Sequence, residues 1–108
     1  MGFYPQQKEH RVLLDKLAKK AADEQKLRVW SIVVRLRDGN VCFVCGRFGV
    51  EAHHIISKRY KATRYDVDNG VSLCIRPLGD RCCHRAAHNH LLKFSRDAAG
   101  RLIWERAT

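Results

Sequence analysis

Apolar residues recur at helical spacing near the start of the chain, at Leu13, Leu14, Leu17, Ala18 and Ala21, while Asp15, Lys16, Lys19, Lys20 and Asp23 fill the outer faces. This pattern predicts a helix from about Gln6 to Gln25. A second stripe of the same period, Val29, Trp30, Val33 and Val34, runs to Asp38-Gly39, a helix-stop and turn signal. Two helices and one bent rod satisfy the pattern equally. In either case the apolar faces are expected to be core. Arg28, Arg35 and Arg37 suit a solvated face as well as a phosphate contact.

Beyond Asn40 the period shortens. Val41, Phe43, Val50, Ile55 and Ile56 predict short strands around a turn at Cys42-Phe43-Val44-Cys45-Gly46. Ser57 to Asp66 has no periodicity and carries Lys58, Arg59, Lys61 and Arg64 with Tyr60 and Tyr65, which reads as a basic loop. Val71-Ser72-Leu73-Cys74 is a further short strand, and Arg76-Pro77-Leu78-Gly79-Asp80 a turn-rich insertion. From Cys83 to Phe94 the pattern predicts a helix with His84, His88, Leu91 and Leu92 on one face. After Gly100, Leu102-Ile103-Trp104 forms a terminal strand or tether. With no internal repeat, low-complexity tract or linker, residues 1–108 read as one domain. It divides into a basic helical region over 1–37, a core over 38–94 and a tether over 95–108.

Composition narrows the class. A chain of 108 residues buries only about two-thirds of the surface its unfolded form exposes, so its core is modest. At 45% hydrophobic and 30% charged it is neither disordered nor fibrous. No stretch approaches the ~18 consecutive apolar residues of a membrane span. Met1-Gly2-Phe3-Tyr4-Pro5 lacks the regions of a signal peptide, and Gln6 fails the hydroxyl position of a myristoylation signal. A cytoplasmic protein without a membrane partner is expected, and a monomer is the slightly favoured state. Twenty-one Lys and Arg against eleven Asp and Glu give a formal charge of +10, which favours a polyanionic partner.

Five cysteines in a reducing compartment point to metal, since five cannot all pair. Cys42 and Cys45 form a knuckle whose two sulfurs can face one ion, with Gly46 permitting the tight backbone. Cys74 and Cys83, separated by eight residues, would complete a tetrahedral structural zinc, and the odd cysteine is Cys82. Four thiolates leave no open position, so catalysis is not expected there. His53 and His54, consecutive at a strand end, project to opposite sides and can do different jobs. His84 and His88, four apart on a helix, are natural co-ligands of a second, working ion that acts as a Lewis acid on phosphate. His10 and His90 carry no such signal.

Together Cys42-Phe43-Val44-Cys45-Gly46, Ala52-His53-His54-Ile55, Asp68-Asn69-Gly70-Val71-Ser72-Leu73-Cys74 and Cys83-His84-Arg85-Ala86-Ala87-His88 resemble the HNH endonucleases of the ββα-metal superfamily, in the subgroup with a four-cysteine zinc. The resemblance covers about Asp38 to His88. The literal triplet His88-Asn89-His90 is coincidental. The resemblance implies an α+β fold: a small ββα-metal core with N-terminal helices and a structural four-cysteine zinc. It makes Cys83, directly before a histidine, the fourth sulfur ligand. The stretch Ile75 to Arg81 is longer than the family's link, and it leaves Cys82 and Cys83 as competing registers.

By the same resemblance His53 is a ligand of the catalytic divalent ion, His54 the general base and Asn69 the residue that braces the hairpin and orients the base. His88 is the final ligand, and His84 is a further ligand found in part of the family. The ion would be Mg, Mn or another transition metal such as Zn, Ni or Co, with no organic cofactor. The implied activity is hydrolysis of DNA phosphodiester bonds, by nicking or double-strand cleavage, to 5′-phosphate and 3′-hydroxyl ends. Lys58, Arg59, Lys61 and Arg64 would hold the nucleic-acid backbone. Two alternatives remain open on the residues alone: a non-catalytic zinc-ribbon-like nucleic-acid-binding module, and a ribonuclease or structure-specific nuclease on the same scaffold.

Overall fold

The computed structural model describes residues 7–75 and 82–107. The expected helix start at Gln6, the opening residues Met1 to Pro5 and the turn-rich stretch Arg76 to Asp80 lie outside the described residues. Both N-terminal stripes belong to one helix, α1 (Gln7–Arg37), of 31 residues. No glycine or proline interrupts it, so nothing between Gln25 and Val29 stops propagation. Glu9 in its first turn and Arg35 and Arg37 in its last complement the helix dipole. It ends where Gly39 and Asn40 take positive φ, 68° and 60°. Their N–H groups donate to the carbonyls of Leu36 and Arg35 at 3.1 and 2.8 Å.

Two antiparallel strands follow, β1 (Val50–His54) and β2 (Gly70–Cys74), with Val50 opposite Cys74 and His54 opposite Gly70. All five β2 residues are buried because the strand is covered on both faces. Ser72 faces α1, donating its hydroxyl to the Val34 carbonyl at 3.5 Å and its N–H to Asp38 at 2.9 Å. Val71 and Leu73 pack instead with Ala86, Ala87 and Leu92. Burial alone would raise Asp38, but the Arg37 guanidinium and the Ser72 N–H hold its carboxyl below the usual range.

Three expectations are corrected. The predicted helix over Cys83 to Phe94 stops early: α2 spans Cys83–His88, and His90 adopts a φ of 60°. Leu92 and Phe94 then alternate in β3 (Leu92–Arg96), which pairs with β4 (Leu102–Arg106), so their period is two and not 3.6. The Leu102-Ile103-Trp104 segment is accordingly a strand. Phe43 lies in a turn between Val41 and Phe48, which share a single bridge, because the tight turn from Cys42 to Cys45 leaves no length for a ladder. The N-terminal apolar face is not core either. Leu13, Leu14 and Leu17 are half exposed, since the sheet is five residues long and meets α1 only near its C-terminal end, at Trp30 and Val34. A 31-residue helix runs about 46 Å, and the molecule measures 64 × 33 × 27 Å.

Helix and sheet approach closely at Gly70, where a Cβ would collide with Val34 Cγ2 and come within 2.8 Å of the Trp30 ring. Gly70→Ala is therefore expected to destabilise the protein by about 1–3 kcal/mol through overpacking. A lowered urea midpoint with an unchanged m-value would register it.

Candidate metal centre and histidine cleft

The first cluster is built from the knuckle, the end of β2 and the start of α2. One sulfur from each of Cys42, Cys45, Cys74 and Cys83 lies within 4.8 Å of all the others. Cys45 and Cys74 sulfurs are 3.6 Å apart, and ligands about 2.3 Å from a tetrahedral zinc stand about 3.8 Å apart. Backbone N–H groups of Val44 and Cys45 donate to Cys42 Sγ at 3.4 Å, and that of Cys83 to Cys74 Sγ at 3.3 Å. None of the described cysteines is in a disulfide. The four sulfurs can hold a metal ion such as zinc.

The protonation of the cluster fits that use. Burial opposes ionisation of Cys42, but the Cys45 N–H and the other donors around its sulfur outweigh burial and bring it to about 7. Cys74 and Cys83 are pushed upward, first by burial and then by neighbouring thiols and the Cys42 charge. One thiolate forms readily; four at this spacing need a cation among them. Cys82 stands apart as the N-cap of α2, its sulfur accepting from the Arg85 N–H at 3.4 Å.

The second cluster lies at the other end of β1. His53, His84 and His88 each bring one ring nitrogen within 4.8 Å of the others. His84 and His88, one helical turn apart on α2, place their Nε2 atoms 3.0 Å from each other. Two imidazole nitrogens at that distance require a proton or a cation between their lone pairs, and cis ligands of one ion with bonds of 2.0–2.1 Å stand about 3 Å apart. Glu51, two residues before His53, reaches His84 Nδ1 at 3.3 Å. A carboxylate on the distal nitrogen fixes the tautomer that leaves Nε2 available. His53 is driven down to about 4, by burial first and then by the His84, His88 and His54 charges. His84 is lowered by burial and by His88, with Glu51 opposing. All three residues line a cleft of about 630 Å³.

His54 lines the same cleft from the opposite side of the strand. Its Nε2 is 2.9 Å from the Arg64 carbonyl. A carbonyl only accepts, so Nε2 carries the proton and Nδ1 keeps its lone pair. Burial lowers its affinity for a second proton; the bond to Arg64 opposes this, and the Lys58 and Arg64 charges reinforce it. Its ring is stacked on Trp30, with centroids 3.7 Å apart and planes 12° from parallel. Trp30 is in turn tied by its indole N–H to the Asp66 carbonyl at 2.8 Å.

Asn69 is buried, and the hydrogen bonds of its side chain go to the loop between the strands. Its side-chain amide donates to the Ile56 and Thr63 carbonyls at 3.0 and 3.1 Å and accepts from the Ile56 N–H at 2.7 Å. It thereby closes the loop that carries the Arg64 carbonyl. Of the basic residues, Lys58 lines the cleft, while Arg59 lies over Tyr60 and Lys61 is exposed. Arg64 is engaged within the fold, bonded to the Lys58 carbonyl at 2.6 Å and to Asp23 at 3.2 Å. Arg37 likewise holds the Val67 and Gly70 carbonyls. Sequence reasoning missed three contributors, Trp30, Glu51 and His90, the last of which lines the cleft. Only Glu51 left a signal, being on the same strand face as His53 by period two.

Comparison with known proteins returns no relative: no protein-family model matches the chain, and neither does any curated protein or solved structure. Among the described residues no helix is long and apolar enough to cross a membrane.

Cys83→Ser is expected to abolish the stoichiometric sulfur-bound ion, whereas Cys82→Ser retains it, because serine caps α2 as well as cysteine does; metal analysis of the purified variants decides this. His53 provides a pH dependence. Its folded value, about 4, lies below the ordinary 6.5, so the neutral ring contributes stability that is fully present above about 6.5 and is lost as pH falls through 4. With no ion at the histidine cluster, the expected result is a His53 imidazole resonance with a midpoint near 4, accompanied by loss of denaturant resistance across that window.

Proposed function

We propose that this protein is a divalent-metal-dependent HNH endonuclease that hydrolyses phosphodiester bonds in DNA, with β1, β2 and α2 as its ββα-metal core and zinc in the sulfur cluster. The observation that carries the reading is a shared cleft. Three imidazoles able to hold one ion and a fourth with its proton locked on Nε2 line the same 630 Å³ space. A chain of formal charge +10 brings nucleic acid to that space, and reduced thiols fit a cytoplasmic protein.

In this reading His53, His84 and His88 hold Mg, Mn or a softer transition ion, which when bound supplies Lewis-acid polarisation of a phosphate oxygen and stabilises charge on the departing 3′ oxygen. The chain's own residues do the rest. His54, neutral at physiological pH, takes the proton of the attacking water on Nδ1. The Arg64 carbonyl and the Trp30 face keep its ring in one orientation. Asn69 acts one step back, by holding the loop that presents the carbonyl. Lys58 provides a positive charge at the cleft wall for a phosphate.

Plasmid nicking with Mn or Mg tests the assignment. His54→Ala is expected to slow cleavage by about 10²–10⁴-fold while both ions remain bound. His53→Ala and His88→Ala should lose the exchangeable ion and the activity together. A parent protein that binds DNA in a salt-sensitive way but cleaves neither DNA nor RNA with any divalent ion would instead be the binding module, and cleavage of RNA alone would reassign the substrate.

A further inference from the structure

The face of α1 turned away from the sheet carries its own apolar row. Leu14, Ala18, Ala21, Gln25, Val29, Ile32 and Leu36 follow one another at intervals of 4, 3, 4, 4, 3 and 4, which is an 11-residue period repeated twice. At 3.67 residues per turn such a row runs almost straight along a helix. It lies opposite Trp30 and Val34, the α1 side chains buried against the sheet. All seven positions are exposed, with Leu14 at 49%, Val29 at 54%, Ile32 at 43% and Leu36 at 64%. No described element covers the row. A soluble monomer rarely leaves so long an apolar strip open to water.

The intervals read the same in both directions from Gln25. Two copies of α1 laid antiparallel about that residue therefore match layer for layer: Leu14 on Leu36, Ala18 on Ile32, Ala21 on Val29, and Gln25 on its own counterpart. In the middle layers a small residue always meets a β-branched one, which is how facing helices interdigitate without voids. A parallel pairing would put Ala18 on Ala18 and Ile32 on Ile32, alternating gaps with clashes. Charge agrees with the antiparallel choice. Glu24 and Arg28 lie on the same edge of the row, and the two-fold brings each Glu24 beside the other copy's Arg28, two reciprocal ion pairs that favour this register. On the other edge Val29 and Val33 also line an apolar groove of about 470 Å³ between α1 and Tyr65, giving the second helix further apolar surface.

We propose that this face is a homodimer interface, in which α1 of one copy packs antiparallel on α1 of another about Gln25. None of the seven row residues lines the histidine cleft, although the adjoining groove shares Trp30 with the wall behind His54, so the pairing is tested apart from the nuclease reading.

Sedimentation equilibrium of the zinc-loaded protein over micromolar concentrations tests it. A dimer is expected, and Val29→Glu with Ile32→Glu should raise its dissociation constant at least about a hundredfold, the cost of burying two charges from each copy, with the helical circular dichroism unchanged. Leu14→Glu, in the half of α1 away from the sheet, should weaken the dimer as well and keeps the test clear of folding defects. Direction is read by mild oxidation of mixed variants. Ala18→Cys should cross-link to Ile32→Cys and not to itself. A parent protein that remains monomeric throughout, variants that dimerise as tightly as the parent, or self-linking of Ala18→Cys would each overturn the proposal.

Discussion

Four sulfur atoms drawn from three distant stretches of chain meet within 4.8 Å, and that crowding is the constraint on which the rest of the architecture rests. Thiols so close resist joint ionisation, so four thiolates there would need a cation at their centre. Satisfying it fixes the knuckle against the end of β2 and starts α2 at Cys83. Once α2 starts there, His84 follows directly and His88 one turn later. The register of β1 on β2, with Val50 opposite Cys74, then places His53 three residues further along. The sulfur cluster thus sets the positions of all three imidazoles of the second cluster without sharing an atom with it.

The base side of the cleft is held differently. His54 is positioned by the loop between the strands and by α1. Asn69 ties the two ends of that loop together, the Arg64 carbonyl fixes one nitrogen of the ring, and Trp30 supplies a flat wall. Trp30 is suited to this because its large face covers an imidazole while its N–H reaches the Asp66 carbonyl. The Arg37 and Asp38 pair finishes the attachment of α1, with Arg37 on the Val67 and Gly70 carbonyls and Asp38 on the Ser72 N–H. Gly70 has no side chain because Val34 and Trp30 occupy its space. The sulfur cluster on one side and close packing on the other bring the candidate ligands and the candidate base to one cleft.

The apolar core is correspondingly small. Its buried cluster centres on Val71, Leu73, Ala86, Ala87 and Leu92 together with the cysteines. Side chains of this size bury little area, and a small domain of this kind gains from a metal staple. Most of the apolar side chains on α1 contribute nothing to the core. A helix with an apolar strip on each of two faces has one strip left over when it meets a single five-residue sheet.

Much of the candidate site was legible in the residues. The knuckle spacing of Cys42 and Cys45, the opposite aims of His53 and His54, and the shared face of His84 and His88 are local consequences of turn, strand and helix geometry. They need no knowledge of the rest of the chain. The end of α2 was not legible, because Leu92 fits a helical stripe with Leu91 as well as it fits the alternation of β3 with Phe94, and only pairing with β4 chooses. Nor was the buried face of α1: Val29 and Trp30 are adjacent apolar residues on different faces, and which one meets the sheet depends on where the sheet lies. Cys82 and Cys83 are equally neighbouring, and the helix start turns one sulfur to the cluster and the other to the Arg85 N–H. By itself the sequence determined which side chains could act together through short-range geometry. The tertiary structure decided which of them meet across the chain, and added Trp30 and the Arg64 carbonyl, because such contacts depend on how distant segments close on one another and leave no periodic trace in the residues.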